Sequence, residues 1–438
     1  LTAVARVAVI GAGAMGLAAA YHALKAGHCV TVLEADKVPG GMAAHFDFGG
    51  LSIERYYHFV CKADRSTFEL MDELGIGDKM RWVGTSMGYY VDGRLHEWGN
   101  PVALLRFPKL SAVEKLRYGL MMFLSVRRPS PGSLESLSAK KWIETWCGQR
   151  VYARLWEPLF RLKFYELADN ISAAWIWTRI KRVGSSRRSL MQEELGYIEG
   201  GTQTLVDALV AAIKACGGEI RLGAKVEEVT VAGDRVTGVA VNGVVEAFDA
   251  VVSTIPMPLV SRIVPHLPQR SKAFYDGIKN IGVACLVLKL KISVTPHFWV
   301  NIADRRIEIP GIVEFSNLRP TKDTIVFVPY YMPVTNPKWA YSDERLLSEA
   351  LGCLKLINPR ITEADLIDSR VARLRYAQPV CPPGFGATLP PMQTPIVGLQ
   401  IADTCSYYPE DRGISESVRY GKLMALAISP SQLSRVKP

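Results

Sequence analysis

A strand, three spaced glycines, a helix, a second strand and an acid fall within the first thirty-four residues. Val4–Ile10 predicts a buried parallel strand, because it is short, rich in β-branched residues and followed at once by glycine. Gly11-Ala12-Gly13-Ala14-Met15-Gly16 comes next, and the alanine-rich stretch Leu17 to Lys25 predicts a helix ending at Gly27. Val30–Leu33 predicts a second strand with Glu34 at its carboxyl end. Each glycine has its own task. Gly11 permits the tight turn from strand to helix, Gly13 lets backbone approach a pyrophosphate, and Gly16 lets the helix pack closely on the strand. The pyrophosphate then sits on the helix N-terminus, beside the backbone of Ala14 and Met15, where unpaired N–H groups and the helix dipole favour negative charge. Glu34 lies eighteen residues after Gly16 and can accept hydrogen bonds from both hydroxyls of a ribose. A lone G-x-G-x-x-G is weak evidence. The same glycines between a strand and a helix, with an acid closing the next strand, are specific for a dinucleotide.

Ala35-Asp36-Lys37-Val38-Pro39-Gly40-Gly41-Met42 places a double glycine just after that acid. With it the sequence resembles FAD-dependent flavoproteins of the glutathione-reductase-like fold, in the branch of the amine oxidases, protoporphyrinogen oxidases and phytoene desaturases. The resemblance implies FAD as cofactor, with the segment from Ala35 through Gly40, Gly41 and Met42 near its phosphates and ribityl chain. Many members carry Arg where this chain has Met42, so any phosphate contact from that side chain is missing. Gly398 to Thr404 looks like the second FAD segment of these proteins, with Ala402 where a glycine is usual. The resemblance assigns the Asp403 side chain to the ribityl hydroxyls and its backbone N–H to a phosphate. Ser415 to Ile428 predicts a helix. Its start, at Gly413 and Ile414, would face the pyrimidine edge of a flavin and stabilise negative charge in the reduced ring. A middle segment also fits: a helix over Gln203 to Ala215, a strand over Glu219–Leu222, and Val226, implied to pack its backbone on the adenine.

The implied fold class is α/β. A discontinuous, Rossmann-like FAD-binding domain would comprise 1–75, 195–265 and 390–438. An inserted α+β substrate-binding domain would comprise 76–194 and 266–389. Within the latter, Ile278 to Lys291 predicts a strand, and the proline-rich Pro379 to Pro395 predicts a loop, since repeated proline forbids a central strand. Gly84-Thr85-Ser86-Met87-Gly88 matches the G-x-S-x-G of hydrolases, but the residues after it read as a β-hairpin, whereas a nucleophile elbow needs a helix there.

Flavin chemistry asks little of the protein: a dry face, orientation and sometimes one proton acceptor. The candidates are Tyr57, His58, Tyr376, Tyr408 and Arg412. His58 could act as general base, bind a phosphate or serve as a scaffold histidine. Tyr408 and Arg412 flank the start of the last helix, where Glu410 and Asp411 read as capping residues. Arg179, Lys181, Arg182, Arg187 and Arg188 form the densest basic cluster. It either grips a phosphate or forms a solvated face. Lys109 to Arg128 alternates cationic and apolar character, so it either lies in a membrane interface or is a helix of the substrate-domain core. Cys405, two residues after Asp403, leaves covalent flavin attachment open.

Composition narrows the rest. Hydrophobic residues make up 49% and charged residues 21%, which excludes a disordered chain. The net charge of +10 is spread thinly, which argues against a nucleic-acid partner and permits an acidic substrate or an anionic membrane surface. Eight scattered cysteines with no C-x-x-C exclude zinc-type and redox-type motifs and fit a reducing, cytoplasmic location. Neither a secretory signal nor a run long enough to span a bilayer is seen, and no metal is expected. The resemblance thus implies an FAD-dependent oxidoreductase, an oxidase or dehydrogenase that removes a hydride from a lipophilic or amine-type small molecule to flavin N5. The alternative is a non-redox isomerase like UDP-galactopyranose mutase, which uses reduced FAD on a sugar nucleotide.

Overall fold

The computed structural model describes residues 4–428; residues 1–3 and 429–438, the outer ends of the expected 1–75 and 390–438 segments, lie outside it. The first strand, Arg6–Ile10, pairs in parallel with Cys29–Glu34 on one side and Ala250–Ser253 on the other. Glu219–Leu222 and Leu399–Ile401 extend these neighbours into a five-stranded parallel sheet. Val7, Ala8 and Val9 are wholly buried, as a parallel strand covered on both faces requires. The sheet therefore gathers strands from the beginning, middle and end of the chain.

The first helix, Ala14–Lys25, starts at Gly13 and is buried along most of its length. Its alanines leave room for the last helix, Ile414–Leu426, to lie against it. A Cβ on Gly421 of that helix would come 2.5 Å from the carbonyl oxygen of Met15 and 2.8 Å from the Cβ of Ala18. The two ends of the described chain are thus packed backbone to backbone.

A second sheet has seven strands in the order Leu366–Pro379, Asn280–Leu290, Thr324–Met332, Gly311–Glu314, Trp299–Ile302, Met87–Val91 and Arg94–Trp98. Asn280–Leu290 is the expected strand, and it is buried on both faces. Its side chains alternate. Val283, Cys285 and Val287 join the core shared with the helices of 101–185, while Ala284, Leu286 and Leu288 pack with Leu346, Ala350 and Leu354 of the helix Asp343–Ile357. The stretch after Pro379 runs as a loop broken by one short helical turn, Phe385–Thr388. Ser86 sits between the strands Met80–Thr85 and Met87–Val91. Its hydroxyl bonds His297 Nδ1 at 2.8 Å, but no helix follows, so the hydrolase geometry is absent there.

The helix Ala112–Arg127 is opened by a capping box in which the Ser111 N–H donates to Glu114 at 2.7 Å. Tyr118, Met121 and Ser125 face inward. The outward stripe is apolar: Val113, Leu116, Leu120, Phe123 and Leu124 are all exposed, Leu116 by 73%. The sequence posed bilayer surface and core helix as alternatives for this segment, and the helix carries one character on each face.

Candidate active site

A cavity of about 1,100 Å³ runs between the two sheets, above the roughly 300–1,000 Å³ usual for one small ligand. One end is walled by Gly11, Gly13, Ala14, Met15, Glu34, Ala35, Gly40, Gly41, Met42, Val226, Asp403, Gly413 and Ile414. Of the expected cofactor residues, Gly16 alone does not line it. Gly16 is a packing residue, because a Cβ there would overlap the carbonyl oxygen of Gly11.

This end is built from backbone. Gly11 has φ +102°, and a Cβ on it would lie 2.7 Å from Thr254 Oγ1. The Gly40 N–H donates to the Ala12 carbonyl at 2.8 Å, so the double glycine is bridged to the first glycine turn. By contrast, a Cβ on Gly13 or Gly413 would meet nothing within 4 Å; both open onto the cavity. The first helix has neither a side-chain cap nor an acid in its first turn, and the last helix has no side-chain cap either. Their leading N–H groups are left for a ligand. Glu34 is held in place by N–H donation from Ala12 at 2.6 Å and Asp36 at 2.8 Å. Two uncapped helix starts, a fixed acid at a strand end and a floor of glycines fit FAD.

One expected role is shared with another task, and the question left open at Cys405 can be answered. The Asp403 carboxylate accepts N–H donation from Met257 and Cys405, each at 2.7 Å, so much of its capacity ties two loops together. Burial raises its pKa. Cys405 is buried away from the cavity wall; among the described residues the wall cysteine is Cys285.

The other end carries side chains from many elements. Tyr57, His58, Tyr376 and Arg412 all line the cavity. Arg412 donates to the Ala377 carbonyl and, at 3.0 Å, to the Tyr331 hydroxyl, which lies 3.0 Å from the hydroxyl of Tyr57. His58 Nδ1 donates to the Tyr56 carbonyl at 2.7 Å. Burial drives its pKa down to about 4, so the ring is neutral near pH 7 and a weak base. Tyr408 is not brought to the cavity. Its hydroxyl bonds Ser172 at 2.8 Å and donates to Glu135 at 2.6 Å, inside the helical layer, and its neighbour Tyr407 lines the wall instead.

The expected capping roles of Glu410 and Asp411 also fail, since neither caps the last helix. Asp411 reaches the cavity and pairs with Arg179. Four of the five residues of the basic cluster are engaged by protein groups, while Arg188 stands exposed. Arg182 donates to Asp64 at 2.9 and 2.7 Å, Lys181 bonds the Arg128 carbonyl, and Arg187 bonds the Gly99 carbonyl. Sequence reasoning missed Lys163, Tyr331 and Trp175. Lys163 carried one readable signal: it follows Leu159 by four residues and Phe160 by three, which puts it on their cavity-lining face of the helix Glu157–Phe164. Beyond it the wall is apolar, formed by Tyr89, Trp98, Tyr118, Leu155, Leu159 and Phe160.

Residues 16–409 match the family model described as flavin containing amine oxidoreductase. The chain is 24% identical to a 15-cis-phytoene desaturase of an Oncidium hybrid cultivar, over 96% of this chain and 77% of that one. It is 26% identical to the 15-cis-phytoene desaturase of Arabidopsis thaliana, over 85% of this chain and 66% of that one. Among solved structures it is similar to the cyclohexylamine oxidase of Brevibacterium oxydans, with a TM-score of 0.69 at 17% identity over 99% of this chain and 100% of that one. It is also similar to a reduced UDP-galactopyranose mutase, with a TM-score of 0.74 at 15% identity over 98% of each chain. The two structural likenesses show the fold.

Proposed function

This chain belongs to the flavin-containing amine oxidoreductase family and is an FAD-dependent oxidoreductase, and from that premise we propose that it dehydrogenates a lipophilic, uncharged substrate rather than a cationic amine. One observation carries the choice. Past the cofactor end the wall is aromatic and aliphatic, and the charges acting on its central amine, Lys163, are two guanidiniums and one carboxylate, from Arg179, Arg412 and Asp411. One oxygen of that carboxylate is paired with Arg179. An ammonium substrate would meet net like charge in a poorly solvated space. The phytoene desaturases among the relatives support this reading.

In this reading the described parts of 1–75, 195–265 and 390–438 hold the cofactor and lend Tyr57 and Arg412, among others, to the substrate wall, which otherwise comes from 76–194 and 266–389. Bound FAD supplies hydride-accepting chemistry. The two uncapped helix starts hold its anionic groups. The chain from Arg412 through Tyr331 to Tyr57 fixes the wall beside the substrate, and the aromatic lining excludes water.

The substrate's source follows from the helix Ala112–Arg127. Its inward Tyr118 lines the cavity, its outward stripe is apolar, and Arg106, Arg117 and Arg127 stand exposed around that stripe. This surface suits an anionic bilayer, whose charge is opposite to the chain's +10. No described helix is long and apolar enough to cross a membrane, so docking is from one side. We place that side in the cytoplasm because the described cysteines are free thiols.

Anaerobic mixing tests the substrate class. Phytoene in anionic vesicles should bleach the flavin absorbance, and cyclohexylamine should not; bleaching by the amine alone would overturn the reading. UDP-galactopyranose isomerisation after dithionite reduction should be absent, because the arginines suited to UDP are paired with Asp64 and Asp411. Flotation tests the surface. Leu116→Glu with Phe123→Glu should abolish binding to anionic vesicles and leave bleaching by detergent-dispersed phytoene intact. Wild-type binding to neutral and anionic vesicles alike would contradict the charge argument.

A further inference from the structure

We propose that Lys163 Nζ is the proton acceptor of this cavity, taking up the proton that a substrate loses as its hydride leaves. The inference rests on the dehydrogenation reading above. Three aromatic faces surround the amine: its nitrogen lies 4.8 Å from the ring centre of Tyr331 and 5.3 Å from those of Phe164 and Trp175. Among the described residues it makes no hydrogen bond and no ion pair, although it lines the cavity. A lysine so placed has its amine turned to the cavity with no hydrogen-bond or ion-pair partner among the described residues to hold a proton on it.

The groups facing it come from three elements. Arg179 comes from the helix Ala173–Ser185, Asp411 and Arg412 from the turn before the last helix, and Tyr331 from the strand Thr324–Met332. Burial first, then the two guanidiniums, push the amine well below the usual lysine range, and Asp411 opposes them only in part. Three other titratable groups at this end of the wall are poorer acceptors. His58 is a weak base with a pKa of about 4, and burial makes Tyr57 hold its proton. The Arg179 guanidinium holds Asp411 in its ionised form. Once protonated, the ammonium gains the π faces and the Asp411 carboxylate, whose Oδ1 is buried without a hydrogen-bond partner.

The step balances for a saturated carbon pair. One C–H bond would give its hydrogen with both its electrons to oxidised FAD held by the two helix starts and Glu34. The neighbouring C–H gives its proton to the Nζ lone pair, and its bonding electrons become the new C=C bond. The ammonium returns its proton to solvent once the product has left and water enters the cavity.

Two readouts separate failure of this inference from failure of the substrate reading. In holoenzyme labelled with ¹³Cε-lysine, one NMR signal should sit at the uncharged position at pH 7.5 and vanish in Lys163→Met. A Lys163 signal among those of charged lysines overturns the inference, whatever the substrate. In anaerobic bleaching by vesicle-borne phytoene, the wild-type rate should fall as pH drops through the lysine's titration. Lys163→Ala should retain its FAD spectrum, lose roughly 10²- to 10⁴-fold in rate and the pH dependence, and recover part of the rate with added ethylamine. An alanine variant with the wild-type rate and pH profile overturns the inference. A wild type that no hydrocarbon bleaches refutes the substrate reading, and with it the step at Nζ.

Discussion

The two ends of the cavity are made of different material. The cofactor end is backbone: glycines, helix starts and one strand-terminal acid, assembled from short local motifs. The substrate end is side chain: aromatic rings, a bare lysine and arginines matched to carboxylates far away in sequence, such as Arg182 with Asp64 and Arg179 with Asp411. A backbone site fails when a Cβ fills it. A side-chain site fails when one partner of a buried pair is removed.

The difference can be broken by substitution. The largest effect should come from Gly16→Val, whose side chain would overlap the Gly11 carbonyl and force the first helix off the sheet; purified protein should contain no FAD by absorbance. Retention of full FAD content would show that the turn is not close-packed. At the other end, Asp64→Asn leaves the half-buried Arg182 guanidinium without its carboxylate. It should cost about 1–3 kcal/mol in denaturant unfolding while the FAD spectrum is kept. Loss of both together would dissolve the distinction between the ends.

A smaller effect concerns the second sheet. Burial raises Glu314 to about 7 from 4.5, against N–H donation from Val294 and Thr295. The folded state therefore binds its proton more tightly than the unfolded state, so stability falls as pH rises from about 4.5 to about 7. Glu314→Gln should remove that slope, to be read from unfolding midpoints across the window. The smallest effect is that of Tyr408→Phe. It removes a hydroxyl bonded to Ser172 and Glu135, should cost about 1 kcal/mol, and should leave the rate of flavin bleaching unchanged.

The same contrast explains what could be read in advance. Gly11, Gly13, Gly16 and Glu34 state their geometry within thirty residues, because a tight turn and a helix start are local demands. The strand over 280–290 and the last helix were legible from apolar run and periodicity. Asp411 was misread as a cap because its partner Arg179 lies 232 residues away, and no local pattern announces that pair. Tyr408 was misplaced for a related reason: adjacent side chains diverge, so Tyr407 faces the cavity while Tyr408 enters the helical layer. The stripe from Val113 to Leu124 was legible as amphipathic, but which face was buried depended on where the rest of the fold lay.

The central claim is that FAD is held between turns from opposite ends of the chain. Titrating FAD into apoprotein of the wild type, Gly13→Val and Gly413→Val tests it most directly. Neither glycine has a positive φ, and a Cβ at either meets no protein atom within 4 Å, so the added side chains start out into cavity space. The wild type should take up one FAD per chain, and both variants should bind roughly tenfold or more weakly. Wild-type protein that takes up no FAD, or Gly413→Val that binds it as tightly as the wild type, would contradict the claim.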